Sequence, residues 1–450
     1  MALLDGTVVN VALRSIGADL DASLGQLQWI TNGYLLALAS LILLGGSLGD
    51  RFGRRRVFVV GVGWFAVSSL LCGVAQDANQ LIAARILQGI GAAMLTPGSL
   101  AMIQGAFRPH DRGRAIGAWA GLGGIAAAVG PLVGGWLVEY ASWRWVFLLN
   151  LPLAVVTVVI AQRFVPETRD VDAVHRFDVL GAALGALGLA GVTFALIEAE
   201  TAGTPIVVAA AAIGVASSVA FVLVERAGTH PMMPTSLFGS RQFSTANAVT
   251  LLVYAALGAL IFFLVLQLQI SAGYGPLEAG LATLPITVVM LLLASRGGAL
   301  ATRIGPRIPM GLGPFVCAGG VALLAGVDGG SSYWTDVLPG ITLFSLGLAL
   351  LVAPLTATVL AAAPDRYAGI ASGINNALAR AGSLLAVAGM PAAVGLSGDD
   401  YADAAVFGAG YARSMWVCVV LLTLGGAISW LLIRNPATAA LASGASAEAS

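Results

Sequence analysis

The chain has 450 residues, of which 58% are hydrophobic and only 10% charged. A soluble domain carries about 25% charged residues, so a soluble globular fold is excluded and the chain is read as lipid-solvated. Its formal charge is zero and all its basic residues other than histidine are arginine; charge gives no sign of a nucleic-acid partner, and none is expected. Cys72, Cys317 and Cys418 sit in apolar runs without ligand spacing, and the three histidines are scattered, so a disulfide framework, a metal site and a cofactor are not expected.

The first apolar run spans residues 1–16. It has no basic segment before it and no small-residue cleavage site, so it does not read as a signal peptide. It is shorter than the roughly 20 residues that cross a bilayer; it is either incomplete as given or enters the membrane shallowly. Thirteen further runs follow near 28–49, 57–75, 81–104, 114–138, 145–164, 178–198, 205–225, 244–270, 278–300, 308–327, 335–361, 368–395 and 413–433. In lipid each must satisfy its own backbone hydrogen bonds, and they are far longer than barrel strands, so 14 membrane helices are expected. The Ala/Ser-rich stretch 435–450 reads as a disordered cytoplasmic tail.

Arginine placement tests this count. With a cytoplasmic N-terminus, 17 arginines fall in cytoplasmic loops and the tail, against Arg14, Arg144 and Arg413 outside, with Arg85 and Arg380 inside spans. Arginine-rich loops stay cytoplasmic, so both termini are expected there, in a multi-pass protein of the cell membrane. An internal repeat sets the organisation. Gly46, Leu48, Arg51, Gly53 and Arg55 after span 2 recur as Gly298, Leu300, Arg303, Gly305 and Arg307 after span 10. Duplicated halves are typical of secondary transporters, with substrate bound at their interface. The expected units are a six-helix bundle over 1–165, two linker helices with their loops over 166–243, and a second six-helix bundle over 244–434.

The loop Gly49-Asp50-Arg51-Phe52-Gly53-Arg54-Arg55-Arg56 makes a tight turn in which Asp50 faces an arginine or a helix N-terminus and the arginines cap helix C-termini. It serves either as a conformational gate or as a plain cytoplasmic anchor. This loop resembles the signature loop of the major facilitator superfamily. Four further stretches resemble its 14-helix drug:proton antiporter branch, the EmrB/QacA-like exporters: Leu4 to Leu13, with Asp5, Thr7 and Asn10; Leu81 to Gly91, with Arg85 and Gln88; Gly130-Pro131-Leu132-Val133-Gly134-Gly135; and Trp143 to Pro152, with Asn150. Ala126 stands where that pattern has glycine.

A carboxylate or guanidinium inside a span is a functional candidate by default. The resemblance implies that Asp5 and Arg85 couple transport to protons, and that the bend at Gly130, Pro131, Gly134 and Gly135 marks an exporter. Against this, Asp5 sits at the cytoplasmic interface and Arg85 snorkels to the outer one. Cavity candidates are Asn10, Asn32, Tyr34, Gln88, Asn247, Tyr254, Gln267, Asn375, Asn376 and Arg380; interhelical hydrogen bonding is the alternative for each polar residue. Span 10 holds no acid beyond Glu278, where some relatives that export cationic drugs carry a deep one, which weakens a lipophilic-cation assignment. No nucleophile with a base and no phosphate-binding loop is visible, so the chain is not read as an enzyme. The expected function is proton-coupled export of a small, lipophilic drug, antibiotic or secondary metabolite by a monomer. A proton-coupled metabolite importer and a transporter-like membrane sensor are the alternatives.

Overall fold

The computed structural model describes the chain apart from residues 107–108, 170–177, 200, 229–230, 365–366, 399 and 436–450. The expected tail thus lies outside the described residues except for Asn435, as do Arg108, Arg176 and Arg366 of the arginine count. Among the described residues there are sixteen α-helices and no strand. In chain order they are α1 (Ala2–Leu20), α2 (Leu24–Phe52), α3 (Arg54–Gly73), α4 (Ala78–Ala106), α5 (Pro109–Tyr140), α6 (Arg144–Leu148), α7 (Asn150–Phe164), α8 (Val179–Ile197), α9 (Thr204–Ala227), α10 (Arg241–Ile270), α11 (Pro276–Ala282), α12 (Leu284–Ile304), α13 (Arg307–Leu324), α14 (Leu338–Ala361), α15 (Ala368–Val394) and α16 (Ala404–Leu432).

Every expected span coincides with a helix or a helix pair. Twelve spans are long and apolar enough to cross a membrane, counting α6 with α7 and α11 with α12. The breaks inside those pairs precede Pro152 and Pro285, because proline supplies no N–H to the preceding turn. Helices α1 and α5 run beside these twelve. The chain is a multi-pass membrane protein. Exposed apolar side chains such as Trp64, Trp136, Leu223 and Leu292 are what a lipid-facing surface requires.

Helices α1–α7 pack among themselves, as do α10–α16, and α8 pairs with α9 while touching α2 and α15. Two inverted ends follow from the alternation: one carries the α1–α2 turn, the other the arginine-rich α2–α3 turn. The repeat is visible as geometry at the second end. Gly53 has φ +108° and Gly305 has φ +83°, a region that favours glycine, and each turn ends one helix and starts the next. Both following helices are capped by the chain just past the last helix of their own group. Glu167, beyond α7, accepts from the Arg55 and Arg56 amides at 3.0 and 3.2 Å. Asn435, beyond α16, accepts from the Arg307 amide at 3.1 Å.

Hydrogen bonds between the two groups, among the described residues, lie at the α1–α2 end. Gln28 donates to the Val387 and Ala388 carbonyls at 2.5 and 3.0 Å, Tyr401 to the Ala22 carbonyl at 2.6 Å, and Gln269 to the Val11 carbonyl at 3.0 Å. Arg14 donates to the Gln269 carbonyl. The Val387 carbonyl is free to accept because Pro391, one turn on, has no N–H to offer it. The molecule is therefore held shut at this end.

Small residues set the helix spacing, as lipid-embedded interfaces require. A Cβ at Gly89 of α4 would stand 2.5 Å from the Tyr34 carbonyl oxygen and 2.7 Å from the Ala37 Cβ, whereas one at Gly63 meets nothing within 4 Å. Gly89→Leu is expected to cost about 1–3 kcal/mol through overpacking, and Gly63→Leu close to nothing. Detergent-solubilised unfolding of the two variants checks this.

Candidate functional site

The polar side chains that meet inside α1–α7 come from α1, α3, α4 and α7. Asp5, Arg85 and Gln88 are almost completely buried. Arg85 Nη1 donates to Asp5 Oδ2 at 2.6 Å and to Gln88 Oε1 at 2.5 Å. Its Nε donates to the Ile30 carbonyl at 3.0 Å. The other carboxylate oxygen, Asp5 Oδ1, accepts from Gln88 Nε2 at 3.0 Å and Asn150 Nδ2 at 3.2 Å. Gln88 also donates to Ser69 Oγ at 2.7 Å. The guanidinium carbon stands 4.4 Å from the centre of the Tyr34 ring and 5.7 Å from that of Phe147, and a desolvated cation on an aromatic face gains up to about 2 kcal/mol.

Local structure explains the convergence. Arg85 and Gln88 are three residues apart on α4, hence on one face. Asn150 opens α7 at the break before Pro152, and the break turns its side chain inward to Asp5. Depth counted from Met1 understates the position of Asp5. Tyr34 donates to the Ala2 carbonyl at 3.4 Å and Thr157 to Met1 Sδ at 3.8 Å, so the first turn of α1 lies beside the middle of α2 and α7. The shallow reading of Asp5 and the snorkelling reading of Arg85 do not describe this geometry. Counting residues into each span had put the two at opposite membrane faces.

Glycines of the α5 bend hold α1 in this place. A Cβ at Gly134 would be 2.5 Å from Val8 Cγ1, one at Gly130 would overlap Thr7 Oγ1, and one at Gly135 would be 2.6 Å from Leu277 Cα of α11. The Pro131 carbonyl is approached by Gly280 of the other group in the same way. The four residues thus join α1 to α11 through α5.

In the α2–α3 loop, Asp50 pairs with Arg54 at 2.8 Å, and Arg55 donates to the Val165 carbonyl at 2.9 Å. Gly49 accepts from the Gly53 amide at 3.0 Å. Arg51 stands 5.1 Å from the Phe52 ring centre. A part-exposed i,i+4 pair is worth well under about 1 kcal/mol, so the loop is held mainly by the cap from Glu167.

The remaining candidates divide. Asn375 donates to Asn247 at 3.2 Å and Thr250 at 2.7 Å, joining α15 to α10. Gln267 donates to the Val327 carbonyl at 2.8 Å. Asn10 and Asn376 bond within their own helices. Asn32 is fully buried with neither amide atom bonded. Tyr254 and Arg380 have no side-chain hydrogen bond or ion pair of their own among the described residues, and each is only part-buried. Sequence reading had quoted Asn150 only within a motif, and passed over Ser69, Gln28 and Glu167. A break before proline was the signal for Asn150; nothing in the sequence marks the others.

A Major Facilitator Superfamily model matches residues 1–387. The chain belongs to the major facilitator superfamily. Among its relatives, the puromycin resistance protein of Streptomyces alboniger is 37% identical, with 98% of this chain and 90% of that protein covered. The methylenomycin A resistance protein of Streptomyces coelicolor is 35% identical over 97% of this chain and 90% of that protein. The tetracenomycin C resistance and export protein of Streptomyces glaucescens is 35% identical over 86% and 72%. Solved structures share the fold. A bacterial homologue of the human lysosomal transporter Spinster, in an inward-facing and unoccupied conformation, superposes with TM-score 0.67 at 17% identity, covering 96% of this chain and 93% of that one. The POT family transporter PepTSo gives 0.65 at 14% identity, covering 96% and 95%.

Removing one member of a buried ion pair strands the other, at about 3–5 kcal/mol. In this superfamily member Asp5→Asn is therefore expected to destabilise strongly, and adding Arg85→Gln to recover part of the loss. Unfolding of the single and double variants in detergent reads this; strictly additive losses would contradict the pairing.

Proposed function

We propose that this superfamily member is a proton-coupled antiporter that exports small lipophilic molecules, of the drug, antibiotic or secondary-metabolite class, across the cell membrane. The names of the relatives, resistance and export proteins for antibiotics, support the export reading, and membership of the 14-helix exporter branch is part of the same proposal. The arginine distribution supports cytoplasmic termini. On that orientation the end held shut is the outer one.

The observation that carries proton coupling is the Asp5 network on α1. Asp5 carries a carboxylate in an apolar interior and has three side-chain donors, from Arg85, Gln88 and Asn150. Helix α1 is also bonded to the opposite group through Gln269 and Arg14 and pressed by α5, which touches α11. Rocking the groups apart at the outer end pulls on α1 from both contacts. A carboxylate drawn away from its donors within hydrocarbon is an uncompensated charge, and protonation removes that cost. A proton taken from outside would be released inward when α1 returns and Arg85 re-forms its pair. Arg85 acts as the fixed counter-charge. The gate loop, Gly49 to Arg55, acts at the inner end, where the groups close in the opposite state.

Everted membrane vesicles test this. Acidifying the lumen should drive accumulation of a substrate dye in vesicles carrying the protein, and collapsing the gradient should release it. Asp5→Asn should abolish gradient-driven accumulation while leaving downhill equilibration; undiminished uphill accumulation by Asp5→Asn contradicts the antiport reading. Gly135→Val, which pushes α5 off α11, should slow transport several-fold without changing protein abundance.

A further inference from the structure

Between α2, α10 and α15, part-way from one end of the molecule to the other, one arginine of α15 stands without an ion-pair partner among the described residues. On α15 the face turned to α2 is fixed at both ends. Near the arginine-rich end a Cβ at Gly373 would stand 2.6 Å from Leu43 Cδ2; near the other, the Val387 carbonyl accepts from Gln28 at 2.5 Å. Arg380 lies seven residues from each, and seven residues is nearly two helical turns, so it lies on the same face half-way between. The neighbouring face of α15 is clamped to α10, where Ser383 donates to the Tyr254 carbonyl at 2.8 Å. Ser383 is three residues on from Arg380, so Arg380 lies about one helical turn from the point where α15 holds the Tyr254 backbone.

Among the described residues this guanidinium has no carboxylate partner, the Tyr254 hydroxyl makes no hydrogen bond, and the buried Asn32 amide has none either. Asn32 lies one turn on from Gln28, on the α2 face covered by α15. The acid of the first half, Asp5, is fully engaged by Arg85, Gln88 and Asn150. A part-buried guanidinium without a carboxylate partner, on the same helix–helix seams as polar groups that have no partner, is a site for negative charge. A cationic ligand would meet repulsion there with nothing to offset it.

We propose that the site between the halves takes organic anions, lipophilic molecules carrying a carboxylate or an acidic enol or phenol, with Arg380 as counter-ion and Tyr254 and Asn32 as polar contacts. This rests on the export reading above and names the charge class of its substrate. Selection then comes from a positive site rather than from an acidic one, and the proton moves on Asp5 separately from the ligand on Arg380.

The test uses purified full-length protein and two fluorescent probes with one apolar body, anthracene carboxylate and aminomethyl anthracene. Wild type should bind the carboxylate at least about tenfold more tightly than the amine, and Arg380→Gln should remove about that factor, since a charge-assisted pair is worth roughly one decade or more. Arg380→Lys should keep most of it, and Tyr254→Phe should lose a smaller part; matching thermal unfolding of all three excludes misfolding. Tighter binding of the amine by wild type, or unchanged carboxylate affinity in Arg380→Gln, overturns the proposal. Transport in everted vesicles separates it from the reading it rests on. Gradient-driven accumulation of the amine alone would sink the anion site and leave export standing. Tight carboxylate binding with no gradient-driven accumulation of either probe would sink export and leave the site.

Discussion

A carboxylate and a guanidinium share the apolar middle of one helical group, each tolerable there because the other stands 2.6 Å away. The pair is the constraint from which the local architecture follows. Asp5 has to be delivered by the first turn of α1, Arg85 by α4, and their remaining valences by Gln88 and Asn150. A single missing donor would leave a buried charge or polar atom unpaired, at about 1–3 kcal/mol or more. The arrangement therefore needs tight helix spacing around it, and the glycines of α4 and α5 supply that spacing.

The same spacing links the pair to the rest of the molecule. Gly130 and Gly134 fit against Thr7 and Val8 of α1, and Gly135 fits against Leu277 of α11. Gln269 of α10 closes on the α1 backbone two turns beyond Asp5. The helix that carries the buried acid is thus itself tied to the opposite group. Motion between the groups and the fate of Asp5's donors are mechanically one event under the proposed cycle. Proline appears at both ends of this logic: Pro152 opens the break that aims Asn150, and Pro391 frees the carbonyl that Gln28 holds.

Much of this was legible in the chain before its coordinates. Apolar runs bounded by arginine and proline marked every membrane helix, because lipid leaves the backbone no other choice. The repeat at Gly53 and Gly305 predicted two equivalent turns, and both have the positive φ that only glycine adopts easily. Asp5 and Arg85 stood out as charges in hydrocarbon. Their pairing was not legible from span arithmetic, since depth counted along each run ignores how far a helix is displaced relative to its neighbours. Gln267, Asn247 and Asn375 were open to two readings, cavity lining or bonding between segments; the structure shows their bonds, which depend on facing directions a sequence does not give. Gln28 and Glu167 were passed over because each bonds to backbone contributed by a distant segment.

The claim at the centre is that Asp5 changes protonation when the outer end opens. Infrared difference spectroscopy on the reconstituted protein, comparing inward-open and outward-open states with Asp5 isotopically edited against an Asp5→Asn control, reads that carboxyl directly. The account predicts a carboxylic-acid carbonyl band that appears only in the outward-open state and is missing in Asp5→Asn. A carboxylate signature that persists unchanged through both states would contradict it.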